Sequence, residues 1–298
     1  MQKKISYEAF TSGLMLMLYG YFQKVFIADK AAVLANTVFT APEKYSSIEL
    51  LFGAIAFSIQ IYGDFGGYSN IAIGAAKVLG FDMMENFKAP YFATSIKDFW
   101  RRWHMSLSTF FRDYVYIPLG GNRGSKLRVV FNTFVVWALT GLWHGASWNF
   151  LVWGLWFFLF LMIERSFLKR WLEKIPVVSN IYLLVVVMVG WVLFRFTNLD
   201  LAWTLVKSLF GANGNAFSDF GSEIQLQSHS FLLIAAAVAS TPVMKLLKEK
   251  LISYGAEHSR FEKVWNILFY SVLPVILLLL ATANLVGDSY NPFIYFQF

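Results

Sequence analysis

Two histidines in a mostly apolar chain are the side chains best suited to proton-transfer chemistry. His144 lies in the stretch 138–149, between two apolar segments and directly before Gly145. Burial in such surroundings lowers the pKa of an imidazole, so His144 would stay neutral and able to accept a proton near pH 7. Taken alone, a histidine at a helix end is more often structural, and both interpretations stay open at this point.

A metal site is not expected. The chain contains no HExxH or His-x3-His pattern, and His229 and His258 lie in unrelated contexts. It also contains no cysteine, which excludes a thiol nucleophile, a Cys-ligated zinc and a disulfide framework.

The histidines must be positioned by helices within a membrane. Of the 298 residues, 57% are hydrophobic and 14% are charged, whereas about a quarter of the residues in a typical soluble domain are charged. This composition excludes a soluble globular enzyme and a disordered chain. About seven segments are candidate spans, of which the first three are the weakest: 9–23, 50–63, 129–143, 145–163, 175–194, 224–244 and 264–287. We therefore predict an all-α, polytopic membrane protein with one domain over residues 1–298.

The distribution of basic residues suggests an orientation. Lys and Arg are concentrated in 120–128, 164–174 and 245–263, and they are sparse in the segments between. Such alternation is typical of basic cytoplasmic loops, so the excess of positive charge indicates membrane topology rather than nucleic-acid binding. The corner around His144 and the terminal segment 287–298 would then face the outer side.

Residues 64–128 form a polar central block. It opens with 64–70, where Asp64 and two glycines interrupt an apolar stretch; this predicts a loop at a helix end or the wall of a water-filled cavity. The stretch 95–115 follows one helical pattern in which His104 shares a face with Trp100, Leu107 and Phe111. Its charged residues favour an interfacial, re-entrant or enclosed helix over a lipid-facing span.

The charged residues of this stretch have two possible roles. Asp98 can pair with Arg101 or Arg102 one turn later. Both arginines suit the phosphates of a pantetheine-type donor and, equally, lipid headgroups.

Five motifs together resemble the membrane-bound O-acyltransferase (MBOAT) family, and within it the bacterial branch that acetylates extracellular polysaccharides such as alginate. They follow one another in family order across nearly the whole chain: DFGGYSNIAIG at 64–74, FWRRWHMSLS at 99–108, RDYVYIPLGGNR at 112–123, LWHG at 142–145 and PFIYFQF at 292–298. Family members carry further spans before the point where this chain starts. The resemblance thus implies that the chain corresponds to the C-terminal portion of the fold.

The resemblance also implies roles for individual residues. His144 would be the catalytic histidine, His104 a second functional histidine and Tyr295 of the terminal motif an acyl relay. Apart from the resemblance, Tyr295 also fits an interfacial aromatic belt. Candidate substrate-binding residues in and beside the motifs are Asp64, Arg101, Arg102, Trp103, Trp143 and Asn149.

The chemistry implied is transfer of an acyl group, acetyl here, from a cytoplasmic thioester such as acetyl-CoA, with no bound cofactor. The expected partners are a periplasmic or extracellular protein of the SGNH esterase type, a polysaccharide acceptor and membrane lipid, with no nucleic acid. The expected location is the bacterial inner membrane. The alternatives are acyl transfer to teichoic acid, D-alanyl included, or to peptidoglycan, and, from other classes, a transporter or a non-catalytic scaffold.

Overall fold

The computed structural model describes residues 6–212, 214, 216–239, 250–251, 253–254, 259–287 and 293. Helices make up the regular structure of these residues, which contain no strand, and the all-α prediction is confirmed. The α-helices are α1 (Tyr7–Phe22), α2 (Asp29–Thr40), α3 (Ser47–Val78), α4 (Ile96–Trp100), α5 (Met105–Phe111), α6 (Lys126–His144), α7 (Trp148–Ile163), α8 (Lys169–Leu172), α9 (Pro176–Arg195), α10 (Leu199–Leu209), α11 (Phe220–Ala239), α12 (Ser259–Ile267) and α13 (Leu273–Gly287).

Short turns of other helical types connect several of these helices. Turns of 3₁₀ helix cover Pro42–Lys44 and Pro90–Phe92. Turns of π-helix, each continuous with a neighbouring α-helix, cover Gln23–Ala28, Arg112–Tyr116, Glu164–Leu168 and Leu268–Val272.

Three helical stretches among the described residues are long and apolar enough to cross a membrane. They are Ser47–Val78, Trp148–Leu172 and Pro176–Arg195. They overlap the predicted spans 50–63, 145–163 and 175–194. The total of about seven spans stays a prediction.

The chain divides into two compact units. The first unit comprises residues 1–33, 59–84 and 229–297, and the second comprises residues 34–58 and 85–228. The expectation of a single functional domain stays a prediction.

In the first unit, glycines bring α1 and α3 into backbone contact. A Cβ atom added to Gly20 would lie 2.5 Å from the carbonyl oxygen of Gly67, and one added to Gly13 would lie 2.7 Å from that of Gly74. Small residues that permit such close approach are common where membrane helices pack. The prediction of a loop at 64–70 is therefore wrong, whereas the alternative, the wall of a water-filled cavity, stays a prediction. The helix α3 continues through this stretch, and Gly67 serves the contact with α1.

In the second unit, α7 packs between α6 and α9, and α9 also packs against α10. Glycines again set the closest approach: a Cβ on Gly141 of α6 would lie 2.5 Å from the carbonyl oxygen of Phe150, and one on Gly154 of α7 would overlap the carbonyl oxygen of Trp137. The α6 helix begins after Ser125, whose side chain accepts a hydrogen bond from the backbone N–H of Arg128.

The stretch 95–115 is not one helix, contrary to the prediction. It consists of α4, a turn over residues 101–104, α5 and the π-helical turn Arg112–Tyr116. The break occurs at His104, whose backbone has φ 45° and ψ 56° and so lies in the left-handed region. A non-glycine residue in this region cannot continue a right-handed helix.

The glycine contact between α6 and α7 yields a test of the packing. We expect Gly154→Ala to lower the free energy of unfolding by about 1–3 kcal/mol, because the added methyl group overlaps a backbone atom that cannot move aside easily. Thermal unfolding of the detergent-solubilised protein measures this change. Gly66→Ala, within α3, is the matched control, because the nearest atoms to a Cβ at this position lie 3.9 Å away. A Gly154→Ala protein as stable as the control would contradict this close contact between the helices.

Candidate active site

Asn86 holds His104 in its unusual backbone conformation. The backbone carbonyl of Asn86 accepts a hydrogen bond from the N–H of Met105 at 3.0 Å, and its side-chain Oδ1 accepts from the N–H of Ser106 at 3.2 Å. The backbone N–H of Lys88 donates to the carbonyl of Arg102 at 2.9 Å on the other side of the turn. Left-handed non-glycine residues are costly and concentrate at functional sites, so the conformation marks His104 as a site candidate.

The same amide favours one of the two neutral tautomers of His104. Oδ1 of Asn86 lies 3.2 Å from Nδ1 of His104 and also accepts from the hydroxyl of Ser106 at 3.0 Å. Because an amide oxygen can only accept, this contact favours the Nδ1–H tautomer. In that tautomer the lone pair is on the opposite nitrogen, Nε2, which is buried.

His144 is the last residue of α6 and lies within an aromatic cage. The cage consists of Trp143, Phe150, Trp153 and Phe194, whose ring centroids lie 4.9, 6.1, 5.0 and 5.0 Å from that of His144. Trp143 also contacts the ring of His104 at 6.1 Å. The structure thus brings the two predicted histidines to one indole ring.

Both histidines lie outside the three candidate spans, and both are held neutral. Burial lowers the pKa of His104 to about 4. Burial also lowers the pKa of His144, to about 3, with a smaller contribution from the charge that His104 would carry if protonated. Two imidazoles that are neutral throughout the physiological range can each accept a proton from a reacting group.

The helical stretch Trp148–Leu172, here called the α7 stretch, contains α7 and the π-helical turn after it. Residues at both of its ends position this site. Oε1 of Glu164 accepts a hydrogen bond from the backbone N–H of Ile96 at 2.7 Å, which fixes the start of α4 and therefore the turn that carries His104. At the other end, the amide of Asn149 donates to the carbonyl oxygen of Phe194 at 3.0 Å and holds that cage residue in place.

The sequence comparison identifies the family to which this arrangement belongs. The model of the membrane-bound O-acyltransferase family matches residues 2–200, which include both histidines, their cage and Glu164. The chain belongs to the membrane-bound O-acyltransferase family.

Bacterial MBOAT relatives cover most of the chain. The "Probable alginate O-acetylase AlgI" of Azotobacter vinelandii is 35% identical over 314 residues, which cover 98% of this chain and 63% of that protein. The "Peptidoglycan O-acetyltransferase" of Helicobacter pylori is 33% identical over 81% of this chain and 47% of that protein. The "Teichoic acid D-alanyltransferase" of Bacillus subtilis is 35% identical over 40% of this chain and 31% of that protein. The chain therefore spans less than two thirds of the length of these relatives.

The other MBOAT site candidates of the second unit have separate environments. Arg101 is exposed, whereas Arg102 is half-buried and its Nε lies 3.0 Å from Oδ2 of Asp98, which confirms that pair. Trp103 is buried and stacks on Phe99. A substrate contact by any of them stays a prediction.

Asp64 belongs to the first unit, where its partner is Lys24. Nζ of Lys24 lies 2.6 Å from Oδ1 of Asp64 and 2.8 Å from Oδ1 of Asp29, and the side chains of Lys24 and Asp64 are 8% and 2% exposed. A neighbouring hydrogen bond joins the amides of Asn70 and Gln23 at 2.6 Å. These contacts stabilise a buried carboxylate in an apolar helix, and a substrate contact by Asp64 stays a prediction.

Tyr295 lies outside the described residues. Phe293 of the same terminal motif is described; its ring lies 5.5 Å from that of Tyr68 and 5.1 Å from Nζ of Lys24, within the first unit. Among the described residues, no group of three or more His, Asp or Glu side chains is arranged to hold a metal ion.

Sequence reasoning misses Lys24, Asn86, Trp153 and Glu164. The sequence contains a signal for two of these residues. Lys24 and Glu164 are ionisable residues at the ends of apolar stretches, where an internal partner is expected. Asn86 and Trp153 give none, because their importance depends on contacts with residues distant in the sequence.

The lowered pKa values of the histidines predict an unusual titration. We expect His104 and His144 to remain neutral as the pH falls from 8 to about 5, whereas an ordinary histidine becomes protonated near 6.5. The unfolded chain then binds more protons than the folded chain between pH 6.5 and about 4. The contribution of these histidines to stability is therefore fully present above pH 6.5 and decreases as the pH falls through this range.

NMR of the protein carrying ¹³C-labelled histidine measures this titration, and His104→Asn and His144→Asn assign the two signals. A midpoint near 6.5 for both signals would contradict the burial of the two rings.

Proposed function

We propose that this protein is a membrane-bound O-acyltransferase that moves an acetyl group from a cytoplasmic thioester, acetyl-CoA, towards the hydroxyl groups of an extracellular polysaccharide such as alginate. The observation that carries the proposal is the pair of neutral imidazoles beside Trp143, one of them within an aromatic cage, in a chain of the MBOAT family. Acyl transfer to an alcohol needs such a base, since a hydroxyl must lose its proton as it attacks.

The reaction can be written with these residues. The attacking hydroxyl gives its proton to His144 while its oxygen bonds to the thioester carbon, and the carbonyl electron pair moves onto the carbonyl oxygen. When the carbonyl re-forms, the C–S bond breaks, and the leaving thiolate takes that proton from the imidazolium of His144. An uncharged imidazole is the state that the first step requires, and the surrounding aromatic rings favour it.

In this scheme His104 can accept a hydrogen bond from the substrate but cannot donate one, although histidine in general can do both. With its proton on Nδ1 and engaged by Asn86, a neutral His104 cannot donate a hydrogen bond through Nε2. It can instead accept one, from a substrate N–H or O–H group, and so orient the substrate beside His144.

The pattern of similarity favours acetyl over D-alanyl transfer. The relatives named as O-acetylases or O-acetyltransferases match 98% and 81% of the chain, whereas the D-alanyltransferase matches 40%. Peptidoglycan is the second candidate acceptor because of the Helicobacter pylori relative.

The remaining components complete the proposed route. Arg101 and Arg102 bind the donor phosphates, or lipid headgroups, on the cytoplasmic side of a multi-pass protein in the bacterial inner membrane. Tyr295 takes the acetyl group as a phenyl ester, which is more reactive than an alkyl ester, and an SGNH-type partner outside the membrane receives it.

Removing the proposed base tests the proposal. We expect His144→Ala to slow acetyl transfer by about 10²–10⁴-fold, the usual contribution of a positioned general base. Release of CoA from acetyl-CoA by membranes containing the protein measures the rate, and the chain adds no thiol of its own to this assay because it has no cysteine. His229→Ala, in α11, is the control and should retain the wild-type rate. Equal rates for His144→Ala and wild type would refute the proposal.

Tyr295→Phe tests the relay separately from the base. The substitution removes only the phenolic oxygen, so we expect the polymer to lose its acetylation while the amount of protein in the membrane stays unchanged. Phe293→Tyr, which adds a phenol two residues away, is the matched control and should not restore acetylation to a Tyr295→Phe protein. Full acetylation of the polymer in the Tyr295→Phe strain would eliminate the relay but not the role of His144.

A further inference from the structure

Trp153 carries a buried hydrogen-bond donor that no described residue engages. Its side chain is 1% exposed, and its indole Nε1 has no hydrogen-bond partner among the described residues. A buried N–H without a partner destabilises a fold, because the group loses its bond to water and gains none in return. The ring lies in the aromatic cage, 5.0 Å from that of His144 and nearly perpendicular to it at 87°.

Trp100 presents a second donor of the same kind. Its Nε1 is also buried and without a partner among the described residues, and its ring lies 5.6 Å from that of Trp153. Two adjacent indoles therefore carry N–H groups without a partner among the described residues, and one of them, Trp153, packs against the proposed base.

Two other tryptophans of the second unit differ from this pair. Nε1 of Trp191 donates to the hydroxyl of Tyr91 at 3.1 Å, and Nε1 of Trp156 donates to the carbonyl of Val186 at 2.9 Å. The chain thus satisfies indole N–H groups elsewhere in the same unit. An unused donor on the indole that packs against His144, with a second on the adjoining indole, points to an acceptor that arrives with a ligand.

The proposed chemistry requires a donor of this type. During acyl transfer, negative charge develops on the carbonyl oxygen, and enzymes stabilise it with preorganised N–H groups in a water-poor site. Neutral His104 has its Nδ1–H engaged by Asn86, and its Nε2 carries a lone pair, so it cannot fill this role.

On the basis of the proposed function, we propose that Trp153 is a further catalytic residue whose indole N–H donates a hydrogen bond to the carbonyl oxygen of the transferred acyl group, with Trp100 supplying a second N–H to an acceptor group of the same donor. As the hydroxyl oxygen bonds to the carbonyl carbon, the carbonyl electron pair moves onto the oxygen held by Trp153. The hydrogen bond from Trp153 strengthens as that charge develops, and it weakens again when the carbonyl re-forms and the C–S bond breaks.

Two replacements at position 153 test this assignment. Trp153→Phe keeps an aromatic ring without the N–H, and β-(3-benzothienyl)alanine keeps the shape of the bicyclic ring with sulfur in place of the N–H. We expect both to lower kcat for transfer from acetyl-CoA by about 10²–10³-fold, as removal of one oxyanion donor does elsewhere, with KM little changed.

Thermal stability provides a readout that distinguishes catalysis from packing. The benzothienylalanine protein should be as stable as wild type or more stable, because the replacement removes a donor that the fold leaves unsatisfied. Trp191→Phe should instead lower the unfolding midpoint, since it removes the bond to Tyr91. Trp137→Phe, in the same aromatic neighbourhood, should keep a kcat close to that of wild type.

The outcomes separate this assignment from the proposed function. If wild type transfers acetyl, His144→Ala does not, and the benzothienylalanine protein keeps the wild-type kcat, then the assignment of Trp153 is overturned and the function stands. If wild-type membranes transfer no acyl group from acetyl-CoA, the proposed function and this assignment both fail.

Discussion

The hydrogen bonds from the start of α4 to the buried carboxylate of Glu164 are the interaction on which the site depends. Water does not reach the first backbone N–H groups of a helix that begins beside an apolar helix. A side chain must therefore accept their hydrogen bonds. Glu164 accepts the N–H groups of Ile96 and Lys97, at 2.7 and 3.5 Å. The same α7 stretch carries Trp153 and Asn149, so one span fixes the turn of His104 and part of the cage of His144.

The first unit meets the same constraint with an ion pair instead of a helix cap. A lysine and a carboxylate, each largely desolvated, cost several kcal/mol to bury and offset that cost only in close contact with each other. Lys24 and Asp64 lie 2.6 Å apart, and the nearby glycines let α1 and α3 approach closely. Asp64 therefore has a structural explanation, whereas the histidines of the second unit have environments suited to proton transfer.

Much of this arrangement can be predicted from the sequence, because hydrophobic length and residue type are local properties. They locate two long apolar helices near their observed bounds and select His144 as a buried, neutral imidazole. The break at His104 cannot be found in this way, since helical periodicity continues through it and the Asn86 amide that holds it lies 18 residues earlier. The prediction of a loop at the glycines before Asn70 is wrong for a similar reason: the helix that packs on them comes from another part of the chain.

The π-helical turns at Gln23–Ala28 and Glu164–Leu168 affect the direction in which two buried ionisable side chains face. Such a turn accommodates one extra residue in a helix, and each residue advances the direction of the side chains by about 100° around the axis. Lys24 and Glu164 both lie in these turns. Each turn thus places its ionisable residue where it meets an internal partner: Lys24 contacts Asp64, and Glu164 contacts the start of α4.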